Sequence, residues 1–233
     1  MVMRASHPPE AAGPTGTPIE QLAVLRAAIG HASRGDPVIA LHHPAACPTR
    51  PGEAAPAGCS CGQPACPTPA EHPIPIRGLH HATCDLLRIT AWWGRDPAAN
   101  LGLATGHRFD ALSTDGPTGH AALARLPGTV GPAIQTGGGR LVFLVVATGQ
   151  PSGRLPAGEA GLLVFRHAAG SVIVAPPGRH GSGRAACWIT PHTLSLPDPA
   201  QILDALGRAR ARRSPTRRSG LPGLLRRGWG RSV

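Results

Sequence analysis

Apolar residues at Leu22, Leu25, Ala28 and Ile29 recur at helical spacing, and a start signal stands ahead of them. Thr17 can cap, Pro18 suits the first helical position, and Glu20 completes a capping box. Gly35-Asp36-Pro37 closes this helix, and Val38-Ile39-Ala40-Leu41 reads as a short buried strand. A second helix is predicted with Thr83 as cap and Asp85 in its first turn, running through Ile89 and Trp92-Trp93 to Asp96-Pro97. One tryptophan is expected in the core and the other partly exposed. Beyond this point the period shortens. Strands are predicted at 101–105, 109–114, 141–147, 161–167, 172–175 and 185–189, with a short helix around 120–126 and a last helix from 198 to about 212. Helices first and strands after imply an α+β domain whose mixed, mainly antiparallel sheet is flanked by helices.

The expected organisation is a disordered N-terminus at 1–16, one domain over 17–207 with a Cys-rich loop insertion at 44–77, and an Arg-rich tail at 208–233. The longest apolar run, 141–148, is strand length and too short to span a bilayer. With no apolar leader at the N-terminus, a cytoplasmic protein without membrane partners is expected.

Charge adds one feature to this picture. From Arg208 onward the chain carries nine arginines and no acid, so a net charge of +11 leaves only +2 for everything before it. An acid-free basic run points to nucleic acid as a partner. A cytoplasmic setting also turns six cysteines toward metal binding or buried thiols rather than disulfides. Cys59, Cys61, Cys66 and His72, with Cys47 as substitute, supply the thiolate and imidazole donors that a structural zinc takes. Cys84 and Cys187, on a predicted helix and strand, are expected in the core.

The predicted strand 109–114 ends at Asp115 and a Gly-rich turn, a common way to present carboxylates to a metal. Two carboxylates on one face of a strand need alternate positions, and the position two before Asp115 is Ser113. Asp115 reads equally as a metal or nucleotide contact and as a turn cap. Asp110, near the start of the strand, reads as an edge or surface acid. Gly137, Gly138 and Gly139 suit either a backbone approach to phosphate or a hairpin turn. Arg140 and Arg179 are candidates for phosphate contact, and His180 for a nucleotide contact or a structural hydrogen bond.

The segment around Asp110, Leu112 and Asp115 resembles the first catalytic motif of the bifunctional DNA primase/polymerase N-terminal domain, usually Asp-Val-Leu-Asp-Val-Asp-Gly. Further similar stretches follow in family order over roughly residues 20–205. They are Cys59-Ser60-Cys61-Gly62 with Cys66 and His72, Ala82-Thr83 with Asp85, Trp92-Trp93, Pro97 with Asn100 and Gly102, Thr136 to Gly139, and Ala175 to Gly183. The resemblance implies a primase-like fold and a site of two acids, a histidine and a third acid that holds Mg²⁺ or Mn²⁺ for nucleotidyl transfer.

Three departures stand at those stations. The first acid is Ser113, the histidine falls at Leu141, and the third acid falls at Phe165. Asp115 and Asp110 remain as residual catalytic candidates. The reading favoured is a catalytically impaired domain that binds nucleotide or nucleic acid in replication or mobile-element biology. An active primase/polymerase using Asp110 and Asp115 is one alternative. The other is a scaffold that recruits replication proteins through the Arg-rich tail. No helicase segment is expected after residue 233, so unwinding would call for a partner in trans.

Overall fold

A computed structural model describes residues 17–45, 58–74, 78–126, 131–157 and 162–211. The expected N-terminal disorder at 1–16, Cys47 and most of the Arg-rich segment lie outside the described residues. Helix α1 (Pro18–Ser33) starts where the capping box predicts, with Thr17 N donating to Glu20 Oε2 at 2.9 Å and Glu20 N to Thr17 Oγ1 at 3.3 Å. Strand β1 (Val38–Leu41) is apolar throughout because both of its faces are covered. Val38 and Ala40 join one core, and Ile39 and Leu41 another.

Asp85, rather than Thr83, caps helix α2 (Leu86–Arg95), accepting from Leu87 N and Arg88 N. Thr83 instead bridges to Val38, and its hydroxyl accepts from Asp85 N. Trp92 and Trp93 are both in the core, because α1 and β1 cover adjacent faces of α2. Trp93 satisfies its polar edge by donating from Nε1 to Ala99 O at 2.9 Å.

The remaining elements are β2 (Pro44–Ala45), β3 (Gly58–Cys59), β4 (Asn100–Ala104), β5 (Phe109–Asp115), α3 (Gly116–Leu123), β6 (Ala133–Gln135) and β7 (Arg140–Val146). They are followed by β8 (Gly153–Ala157), β9 (Leu162–His167), β10 (Val172–Val174), β11 (Cys187–Thr190) and α4 (Pro199–Ala211). A six-stranded sheet runs β11-β6-β7-β5-β9-β8, a three-stranded sheet runs β1-β4-β10, and β2 pairs with β3. Where a mixed sheet was expected, every ladder among the described residues is antiparallel. The architecture is α+β.

Register decides what the central strands present. Ser113 lies opposite Val142 on β7 and Phe165 on β9, while Ala111 lies opposite Leu144 and His167. Opposed residues share a face, so these side chains all stand on one side of the sheet. On the other side, Leu112, Leu141, Phe143, Val145 and Val164 pack against Ala122 of α3 and Ile202 and Leu206 of α4. The first face is covered along part of its length, where Ala111, Val142 and Leu144 join a core with α1, α2 and the three-stranded sheet. Beyond that cover it opens into a cleft.

Candidate functional site

The cleft lies between the six-stranded sheet and β10 and encloses about 840 Å³, its open mouth included. Ser113, Thr136, Arg140, Val142 and His167 line it from the larger sheet, and His180 and residues of β10 from the other side. Thr68 and Glu71 of the Cys-rich loop close one wall. An adjoining recess shares Glu71, Ser113, Arg140 and His167 and adds Arg154 and Phe165.

At its centre, Arg140 NH2 donates to Ser113 Oγ at 2.9 Å, and Ser113 Oγ lies 2.9 Å from His167 Nε2. The serine hydroxyl thus bridges the guanidinium and the imidazole. Ser113 is 2% exposed. Burial, reinforced by the Arg140 guanidinium, pushes the His167 pKa from its ordinary value of 6.5 down to about 4, so the ring is neutral near pH 7. The ring also packs on Phe165, with centroids 4.8 Å apart.

Three predicted positions need correction. Leu141 is fully buried on the helix-covered face, so it cannot be a cleft station. The β7 residue that opposes Asp115 and reaches Ser113 is Arg140. Asp110 is 1% exposed rather than a surface acid, and its Oδ2 accepts from Thr148 N and Oγ1 at 3.2 Å. Arg179 turns away from the cleft, pairing with Glu20 of α1 and donating from NH1 to Gly183 O at 2.9 Å. Asp115 shares Ser113's face by alternation, but its Oδ1 accepts from Thr118 N at 2.8 Å and caps α3.

The glycines form the turn between β6 and β7, closed by Gly139 N donating to Thr136 O at 2.9 Å. Gly139 has φ +85°, and a Cβ on Gly137 would meet Arg184 O at 2.0 Å, so each position requires glycine. Gly138 lies against the His180 ring. Ser182 N donates to His180 Nδ1 at 3.1 Å, which leaves the proton on Nε2. His180 therefore combines a structural hydrogen bond with a place in the cleft wall.

Sequence reasoning missed His167, Arg154 and Glu71. For His167 the available signal was strand alternation, since it stands two residues from Phe165 on the same face. Arg154 lies opposite Phe165 on β8, an edge strand that the sequence pattern did not reveal.

The Cys-rich loop brings the ligand atoms of Cys59, Cys61, Cys66 and His72 within 4.8 Å of one another. Cys59 Sγ and Cys66 Sγ lie 3.3 and 3.4 Å from His72 Nε2. A tetrahedral zinc with ordinary Zn–S and Zn–N bonds sets such donors about 3.5 Å apart. The group is therefore compatible with a metal of that kind. Ala70 N donates to Cys59 Sγ at 3.3 Å, as backbone amides do for a thiolate ligand. Burial pushes the free Cys59 thiol up to about 11. Cys84 and Cys187, expected in the core, are exposed: Cys84 precedes the Asp85 cap of α2 rather than lying on the helix, and Cys187 opens the edge strand β11. No helix among the described residues is long and apolar enough to cross a membrane.

Two antiparallel sheets closing on a cleft, with helices behind the larger one, give the class: an α+β domain with an open cleft between its sheets. Residues 28–204 match the family Prim-Pol, the N-terminal domain of bifunctional DNA primase/polymerases, and the chain belongs to that family. The matched region spans α1 to α4, including the cleft and the Cys-rich loop. Among curated proteins none matches the chain.

The family chemistry implies Mg²⁺ held by carboxylates, and the residues present do not fit it. The strand positions on this face carry Ser113, Arg140, Phe165 and His167, and the one strand carboxylate beside them, Asp115 opposite Arg140, caps α3. A guanidinium within hydrogen-bonding distance of the central serine repels a divalent cation.

Proposed function

We propose that the chain is a primase/polymerase-family domain that binds nucleotide or nucleic acid but has lost nucleotidyl transfer. One observation carries this reading: Arg140 donates to Ser113 Oγ at the centre of the cleft, where two-metal chemistry needs anionic ligands. Ser113 is a neutral oxygen, Phe165 offers none, and Asp115 is engaged in capping α3. Two Mg²⁺ ions require several oxygen ligands each, and such a set is missing among the described cleft-lining residues.

Two further features complete the reading. A zinc ion held by Cys59, Cys61, Cys66 and His72 would tie the loop into the fold and so fix Thr68 and Glu71 in the cleft wall. The arginines from 208 onward would supply sequence-tolerant affinity for nucleic acid through phosphate contacts. Membership of the family supports a role in replication or mobile-element biology.

The test is template-dependent dNTP incorporation with Mg²⁺ and with Mn²⁺. No extension is expected, and Ser113→Asp alone should not create any. Incorporation by the wild-type chain that is lost in Asp115→Ala would overturn the proposal and favour the active-enzyme alternative.

A further inference from the structure

In a two-metal centre the carboxylates repel a triphosphate, and the metal ions lie between them. Here the charge of the cleft has the opposite sign. Arg140 and Arg154 line the shared recess, and Glu71 is the only acid lining it among the described residues. Neither arginine forms an ion pair among the described residues. His167 between them is neutral near pH 7, so the recess takes its positive charge from the two arginines.

We propose that this cleft binds the phosphate chain of a nucleoside triphosphate directly, with Arg140 and Arg154 taking the place of the divalent cations, so that binding needs no metal. A guanidinium has five N–H donors in a planar fork, suited to two phosphate oxygens at once. Arg140 spends one NH2 donor on Ser113 Oγ, while the residue remains exposed to the cleft. The hydrogen-bonded chain from Arg140 through Ser113 to His167 holds that fork in place before a ligand arrives. Preorganisation of this kind lowers the cost of binding. The part of the cleft that a ligand can fill, about 300 Å³, lies at the lower end of the range of small-ligand sites.

The inference rests on the proposed loss of the metal centre, and its test is separate from primer extension. Zinc-loaded, full-length protein is titrated calorimetrically with inorganic tripolyphosphate and with ATP in buffer freed of divalent cations on a chelating resin. Arg140→Gln and Arg154→Gln are compared with Arg125→Gln, a control on the exposed turn after α3. Loss of one charge-assisted contact should weaken tripolyphosphate binding about tenfold or more for each cleft variant. The control should bind like wild type, with the basic C-terminal segment contributing equally to all four proteins. Millimolar Mg²⁺ should weaken binding, because it neutralises the polyphosphate.

Binding that appears only when Mg²⁺ is added would overturn the inference, as would cleft variants that both match wild type. Oligo-dT binding with the same Arg140 dependence and no response to tripolyphosphate would replace a nucleotide with a strand backbone, and so overturn it too. Absence of metal-free binding together with absence of extension sinks this inference alone. Extension together with metal-free binding sinks the proposed function and leaves this inference standing.

Discussion

Replacing His167 by Gln should flatten the acid side of the stability profile. The ring is buried between Ser113 and Phe165, and its pKa is held at about 4 instead of 6.5, first by burial and then by Arg140. Between those values the unfolded chain binds a proton that the folded chain does not, so stability rises with pH across this window. It is fully present above 6.5 and is lost as pH falls toward 4. At about 1.4 kcal/mol per pH unit the ceiling is roughly 3 kcal/mol, of which about 2 kcal/mol falls between pH ~7 and pH ~5. Among the described residues the charged groups sharing the recess are Arg140, Arg154 and Glu71, and Arg140 acts in the same direction as burial. Urea unfolding of wild type and His167→Gln at several pH values between ~5 and ~7 reads the effect as a difference in slope. Taking the difference cancels contributions from the zinc ligands, Asp36 and other groups common to both proteins. A variant with the wild-type slope would refute the argument, because the ring would then not be the buried neutral base of the cleft.

Protein purified without chelator should contain close to one zinc per chain, falling below about a tenth of that in Cys66→Ser; zinc-free wild-type protein would sink the metal centre. Removing the residues after Ala211 should abolish most nucleic-acid affinity at moderate salt while leaving the fold intact, and undiminished binding would move the site into the domain. A cut after Asp204 would be a poor test, since it removes buried Leu206, whose burial alone stabilises by about 2 kcal/mol.

Much of the architecture was legible because it is written in local signals. The Thr17 and Glu20 box starts α1 at the expected residue, and the unbroken apolar run of β1 marks a strand covered on both faces. The convergence of Cys59, Cys61, Cys66 and His72 was legible too, because their close spacing limits how far apart they can stand. The strands missed were weak patterns. β6 has three residues, and β8 contains Gly153 and Pro156, which only an edge strand tolerates well. The Arg-rich run taken to begin at 208 starts inside α4, where Arg208 pairs with Asp204 one turn earlier. Its arginines there simply occupy the helix's solvent side.

Facing was the part that sequence could not supply. A shift of one residue moves a strand side chain to the opposite side of the sheet, and motif likeness does not set the register. That is why Leu141 was taken for a cleft station when its neighbour Arg140 holds the position. It is also why Asp110, polar and near a strand end, was taken for a surface acid when Thr148 folds over it.

The central claim is that this cleft assembles no catalytic metal centre. Free Mn²⁺ measured by electron paramagnetic resonance during titration with zinc-loaded protein tests it without depending on a chosen substrate. The free-ion signal should stay undiminished at equimolar protein, in wild type and in Asp115→Ala alike. Stoichiometric loss of signal, at about one or two ions per chain and abolished by Asp115→Ala, would contradict it.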